Sequence, residues 1–323
     1  MSTLTATPGA SALGVTKAAA LRHRTSLLTL FGVLSALGAL LWAHGWYVHD
    51  GLTATGADTC DPASDECITM WKNFLREYGA ALQVGDSLLY ALGGAFGAFL
   101  GGPLLAREFE HGTYRFAWTQ GAGRARWTVG VTALAGAALA AGSLLLALVL
   151  AWWNAPLAQE SSRFGRDLFV QGAPVMVARS LLTFAVAVLA GAVLRRTVVS
   201  IGIALAVSVA VPFAAEAVRF HYLPPMERTV QTLNTVTTDQ SWVSSVWFSD
   251  LAGNRYTSEE FYRKVDTFTQ GRALLRDGTF TAHEVYQPAH RYWPFQWIEA
   301  GWMFLLALLL AAAALWWVRR RAV

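Results

Sequence analysis

Six long apolar runs constrain this chain more than any other feature: they fall near residues 26–48, 86–106, 128–151, 174–194, 197–216 and 295–318, separated by charge, Pro or Gly clusters. About 20 apolar residues, rising about 1.5 Å each, cross the hydrocarbon core of a bilayer. The fold class expected is therefore an all-α membrane protein with six transmembrane helices. Only 14% of the 323 residues are charged, against about 25% in soluble domains. The stretch 174–216 is too long for one span, so Arg195 and Arg196 predict a tight turn at a membrane face.

Orientation follows from Lys and Arg in the short connections. One side would carry Lys17, Arg22, Arg24, Arg107, Arg115, Arg124, Arg126, Arg195, Arg196, Arg319, Arg320 and Arg321, against Lys72, Arg76, Arg163 and Arg166 on the other. Both termini are thus expected in the cytoplasm, with 49–85, 152–173 and the long 217–294 segment outside. Trp42, Trp46, Trp152, Trp153, Trp293 and Trp297 would mark the outer headgroup layer, and Trp127, Trp316 and Trp317 the inner one. The domains expected are a cytoplasmic tail over 1–25, spans one to five over 26–216, an extracellular domain over 217–294, and span six with a basic tail over 295–323. No cleavable signal peptide is expected, because the first apolar run, from Leu27, is span-length.

Chemistry is sparse. The only lysines are Lys17, Lys72 and Lys264, and none follows a glycine, so the G-K-[ST] turn of a phosphate-cradling P-loop is absent. Any nucleotide energy would have to come through a partner. The net charge of +4 is modest for nucleic-acid binding, and no metal or catalytic constellation is expected. Cys60 and Cys67, in "DTCDPASDECITM", would form a disulfide outside the cytoplasm rather than a metal site, since no histidine sits nearby at ligand spacing. In the second span Gly93, Gly97 and Gly101 recur every four residues. Such a ridge admits a close helix neighbour, within the subunit by preference or across a dimer seam. In the 217–294 segment, 257–278 reads as one helix with Thr257 and Glu260 at capping-box spacing, an apolar face of Phe261, Val265 and Phe268, and Gly278 at its end. Arg179 and Glu299 lie at matching depths within spans four and six. Each could snorkel to the headgroups, or the two could pair.

The stretch "AREFEHGTYRFAWTQGAGRARW", residues 106–127, places four arginines, two glutamates and a histidine between two spans. Helix two is expected to run to His111 and to end at Gly112 in a left-handed turn. Thr113 could then cap a short helix, "YRFAWTQ", whose Tyr114, Phe116 and Trp118 rest on lipid or in a protein groove. Glu108, Glu110 and Arg115 would remain for charge-assisted contacts.

Here the spacing E-x-E-x-G-T, as Glu108, Glu110, Gly112 and Thr113, resembles the motif of type-2 ABC-transporter permeases. The strings "YRFAWTQGAGRARW" and "YQPAHRYWPFQWIEAG" resemble a bacterial exporter subgroup of that family, as does the large external segment between spans five and six. The resemblance implies that 107–126 is a coupling helix, seated in a groove of a cytoplasmic P-loop ATPase through Glu108, Glu110, Gly112, Thr113, Arg115 and Trp118. It also implies two permeases with two ATPases in a bacterial plasma membrane, ATP and Mg being held by the partner and no cofactor by this chain. An elbow helix around 15–25 would fit the same layout. The alternative is a membrane-anchored sensor or immunity protein whose extracellular domain binds a ligand or partner.

Overall fold

A computed structural model describes residues 24–60, 64–112, 124–156, 162–230, 240–265 and 268–320. In chain order the elements are α1 (Arg24–Ala54), α2 (Asp65–Phe74), a π-helical turn (Leu75–Gly79), α3 (Ala80–Glu110), α4 (Arg124–Trp153), α5 (Arg166–Gln171), α6 (Ala173–Leu194) and α7 (Thr197–Arg219). Then follow β1 (Met226–Val230), β2 (Trp242–Asp250), β3 (Arg255–Thr257), α8 (Ser258–Lys264), α9 (Phe268–Arg276), β4 (Phe280–Gln287) and α10 (Tyr292–Arg320). Among the described residues, five helical segments are long and apolar enough to cross a membrane: Leu28–Ala54, Ala125–Trp153, Ala173–Leu194, Thr197–Arg219 and Ala289–Arg320. This is a multi-pass membrane protein. The remaining long helix, α3, has 31 residues and packs among these segments.

Those glycines are used inside the subunit. α6 is the central helix, packed on α3, α10, α7 and α4. A Cβ on Gly97 would meet the Ser180 carbonyl oxygen and lie 2.9 Å from the Phe184 nitrogen; one on Gly101 would lie 2.6 Å from the Phe184 carbonyl. On the adjoining face, Gly94 abuts Ser208 and Gly102 abuts Ile201 of α7. Ser200 of α7 donates to the Gly102 carbonyl at 3.3 Å. The ridge is wedged between α6 and α7 and is no dimer seam.

α6 and α7 are joined by two residues. Arg195 takes the left-handed conformation at φ 57° and Arg196 is extended, so the paired arginines form the expected tight turn. α7 ends, and α10 begins, at the opposite end of the bundle, where the 217–294 segment folds. The expectation of an all-α chain fails there. A four-stranded antiparallel sheet, in the order β1-β4-β2-β3, stands between α7 and α10. β2 and β4 carry runs of Val, Phe, Trp, Thr and Tyr that suit a pleated, half-buried surface.

The single helix expected over 257–278 is also corrected. Its start is as read, since Thr257 and Glu260 form a reciprocal capping box. Val265 then turns extended, and α9 folds back. A Cβ on Gly271 would lie 3.3 Å from the Phe261 ring, whereas ten residues of continuous helix would separate them by about 15 Å. Folding back lets both short helices cover one sheet face, burying Phe248, Phe261, Val265, Leu275 and Ala282 together. Gly278 adopts φ +79° just after α9.

The β2–β3 turn is held by Asp250. Its carboxylate accepts from the Asn254 side chain at 2.9 Å, from the Asn254 and Ala252 backbone at 2.9 and 3.0 Å, and from the Tyr256 hydroxyl at 2.9 Å. These bonds, Asn254's foremost, hold its pKa down at about 2. A folded pKa below the unfolded value of about 3.9 means that the stabilisation is present at neutral pH and fades as pH falls through the folded value. In wild-type protein, hydrogen exchange of residues 250–256, corrected for intrinsic rates, should therefore accelerate from about pH 4 down to about pH 2. Asp250→Asn should exchange fast throughout. A wild-type segment still protected below pH 2 would assign the turn's stability elsewhere.

Candidate functional site

Two clusters of polar side chains sit at opposite ends of the bundle. At the end remote from the sheet, α3 finishes with Arg107, Glu108, Phe109 and Glu110. Gly112 then takes φ +66° and donates its N–H to the Phe109 carbonyl at 3.3 Å, the left-handed stop read from the sequence. Glu110 has a partner within the chain. Its two carboxylate oxygens accept from the Thr197 backbone N–H at 2.8 Å and from the Thr197 hydroxyl at 2.7 Å. Glu110 thus satisfies an open donor at the first residue of α7. The backbone bond first, then the hydroxyl, hold its carboxyl below the ordinary carboxylate range. Arg195 lies over the Phe109 ring at 5.5 Å, a second tie between the α6–α7 turn and the last turn of α3. Glu108 is half-buried. Thr113, Arg115 and Trp118, with Tyr114 and Phe116, lie outside the described residues.

At the sheet end the charges are buried. Glu299 is fully buried and pairs with Arg219, not with Arg179. Arg219 Nε and Nη2 donate to the two carboxylate oxygens at 2.8 and 2.9 Å, and both side chains are 0% exposed. The Tyr222 hydroxyl donates to Glu299 at 3.3 Å, and the guanidinium lies 3.9 Å over the Phe169 ring. Arg179 is buried too, so neither residue snorkels. It donates to the Tyr90 carbonyl and stacks over the Tyr90 ring at 5.2 Å. The reason for the exchange is reach: α7 continues to Arg219, which places a guanidinium against the first turns of α10. Arg166 and Glu216 form a further ion pair beside it.

Arg219 was missed because span five reads as ending near 216, which assigns Arg219 to the long external segment. The signal available was the Glu216/Arg219 spacing, three apart on one helix face. Trp153 is likewise no headgroup anchor: it is 2% exposed, and its indole N–H donates to His44 Nδ1 at 3.1 Å. Trp42, Trp46, Trp293, Trp297 and Trp316 are exposed.

The sheet is fixed to this cluster. Gln287, at the end of β4, donates to the Phe220 and Leu223 carbonyls at 3.0 and 2.7 Å, and Trp242 of β2 packs on Phe164 and Phe220. Cys60 and Cys67 are joined in a disulfide with Cα atoms 5.2 Å apart, and Ser64 between them caps α2, accepting from the Cys67 N–H at 3.1 Å. Among the described residues, no three His, Cys, Asp or Glu side chains come together as metal ligands.

A protein-family model described as "ABC-2 membrane transporter related" matches residues 31–219, more than half of the chain. The match begins in α1 and stops at Arg219, where the sheet-bearing segment starts. No curated protein and no solved structure matches the chain.

Proposed function

The chain belongs to the ABC-2 membrane transporter related family, and from that premise we propose that it is the transmembrane permease subunit of an ATP-driven exporter in a bacterial plasma membrane. The single observation that carries this is the extent of the family match, which runs from within α1 to the end of α7 and takes in the whole 107–126 turn. ATP and Mg are held by a separate P-loop ATPase, and two permeases pair with two such subunits. This chain has no catalytic role of its own, and it moves an amphipathic or hydrophobic substrate.

α3 counts as the sixth span in this reading. A helix wedged along Gly93–Gly102 between α6 and α7 must share their depth, because both neighbours are apolar enough to span. The Lys and Arg asymmetry of the short connections supports cytoplasmic termini and an external sheet. The 107–126 turn then lies on the ATPase side as the coupling helix, and the family resemblance assigns the partner contact to Glu108, Thr113, Arg115 and Trp118. Glu110 and Gly112 act one step back, shaping the end of α3.

Full-length chain purified in mild detergent from its host should bring with it a P-loop ATPase and measurable ATP hydrolysis. Glu108→Lys should lose most of both while still inserting, because breaking a charge-assisted interface contact costs about 2–5 kcal/mol. Wild-type chain without a P-loop subunit and without hydrolysis would end this reading. Hydrolysis untouched by Glu108→Lys would remove Glu108 from the interface.

A further inference from the structure

The bundle carries a cleft of about 340 Å³ at its sheet end, between the last turns of α4, the segment around α5 and the start of α10. Its lining includes the apolar Leu148, Ala151 and Leu168, the polar Asn154, and Arg163 and Trp293. Leu148 is 56% and Trp293 55% exposed, so the cleft opens sideways rather than into the subunit. Asn154 is buried and donates to Gln171 at 2.8 Å, which fixes this polar part of the lining.

We propose that this cleft binds one anionic phospholipid from the leaflet on the sheet side. Position is the first reason. Ala147–Trp153 are the last residues of one span and Trp293 belongs to the first turn of another. The cleft therefore lies where hydrocarbon meets headgroups, the layer that exposed tryptophans mark. Chemistry is the second. An apolar lining that also includes an exposed guanidinium matches an acyl chain below a phosphodiester. Guanidinium binds phosphate oxygens in a planar, two-pronged geometry. Choline lipids supply the same chain and phosphate but place a cation beside Arg163. A neutral apolar ligand would leave Arg163 without a role, and a soluble anion would leave Leu148 and Leu168 without one. The volume lies within the range of small-ligand sites, about 300–1,000 Å³.

The proposal rests on the membrane spans alone and not on the transport reading. Its test is native mass spectrometry of the full chain in detergent, titrated separately with phosphatidylglycerol and phosphatidylcholine. One phosphatidylglycerol should survive activation that strips phosphatidylcholine completely. Arg163→Gln changes an exposed side chain and should weaken retention about fivefold, as expected for one cation beside an anionic headgroup. Ala151→Trp fills the cleft from an exposed position and should abolish the tight site. Equal retention of the two lipids by wild type, or full retention by both variants, would overturn the proposal. Neither readout needs an ATPase, so transport can fail as a reading while this stands.

Discussion

Arg219→Met alone, or Glu299→Leu alone, should cost the protein roughly 3–5 kcal/mol, whereas the double substitution should recover most of that loss. Both side chains are completely buried and joined by two hydrogen bonds. Removing either leaves a desolvated charge facing an apolar neighbour. Removing both leaves a volume change beside Phe169 and the weaker loss of the Tyr222 hydroxyl's acceptor. Thermal unfolding in detergent is the measurement, with Arg179→Met/Glu299→Leu as the comparison. That second pair should recover far less, because Arg179 bonds Tyr90 and removing Glu299 leaves Arg219 without its carboxylate. A 219/299 double variant no better than its worse parent would mean the pair does not act as a unit.

The second large effect is expected from a single methyl group. Gly97→Ala should destabilise the bundle by about 1–3 kcal/mol, and Gly97→Leu should not yield folded protein. The added carbon meets the Ser180 carbonyl and the Phe184 nitrogen, which are backbone atoms of α6 and cannot rotate away. α3 would have to leave its groove, breaking the Ser200–Gly102 bond with it. Gly136→Ala is the control. Its new carbon would lie 3.7 Å from the Phe184 ring, an ordinary contact, and it should unfold with wild type. Equal stability of the Gly97 and Gly136 alanine variants would show that the α3–α6 approach is looser than described.

The sequence made the helices plain and hid the sheet for identifiable reasons. Span-length hydrophobicity, the Arg195–Arg196 break, Gly112 and the Thr257/Glu260 capping box are local signals, written within a few residues of where they act. β2 gives no such signal. It buries side chains toward both the short helices and the bundle, so its apolar residues do not alternate cleanly. Between Val243 and Ser245 a register shift breaks the period of two. Charge pairing was hidden for a different reason. Glu299 and Arg219 are 80 positions apart, and depth along a helix constrains which residues could meet without saying which do. Glu110 looked available because its partner, Thr197, belongs to a turn that sequence alone cannot bring beside it.

α7 has 23 residues, about 34 Å of helix, and each end is held by a carboxylate from a different neighbour: Glu110 of α3 on Thr197, and Glu299 of α10 on Arg219. A rod pinned at both ends cannot slip along its axis without breaking one pin. What remains open to it is a change of inclination, with the buried Arg219–Glu299 joint as the stiffer pivot and the exposed Glu110–Thr197 joint as the looser one. Displacement of the α3 terminus would therefore reach the foot of the sheet as a tilt, carried through a fulcrum that water does not reach.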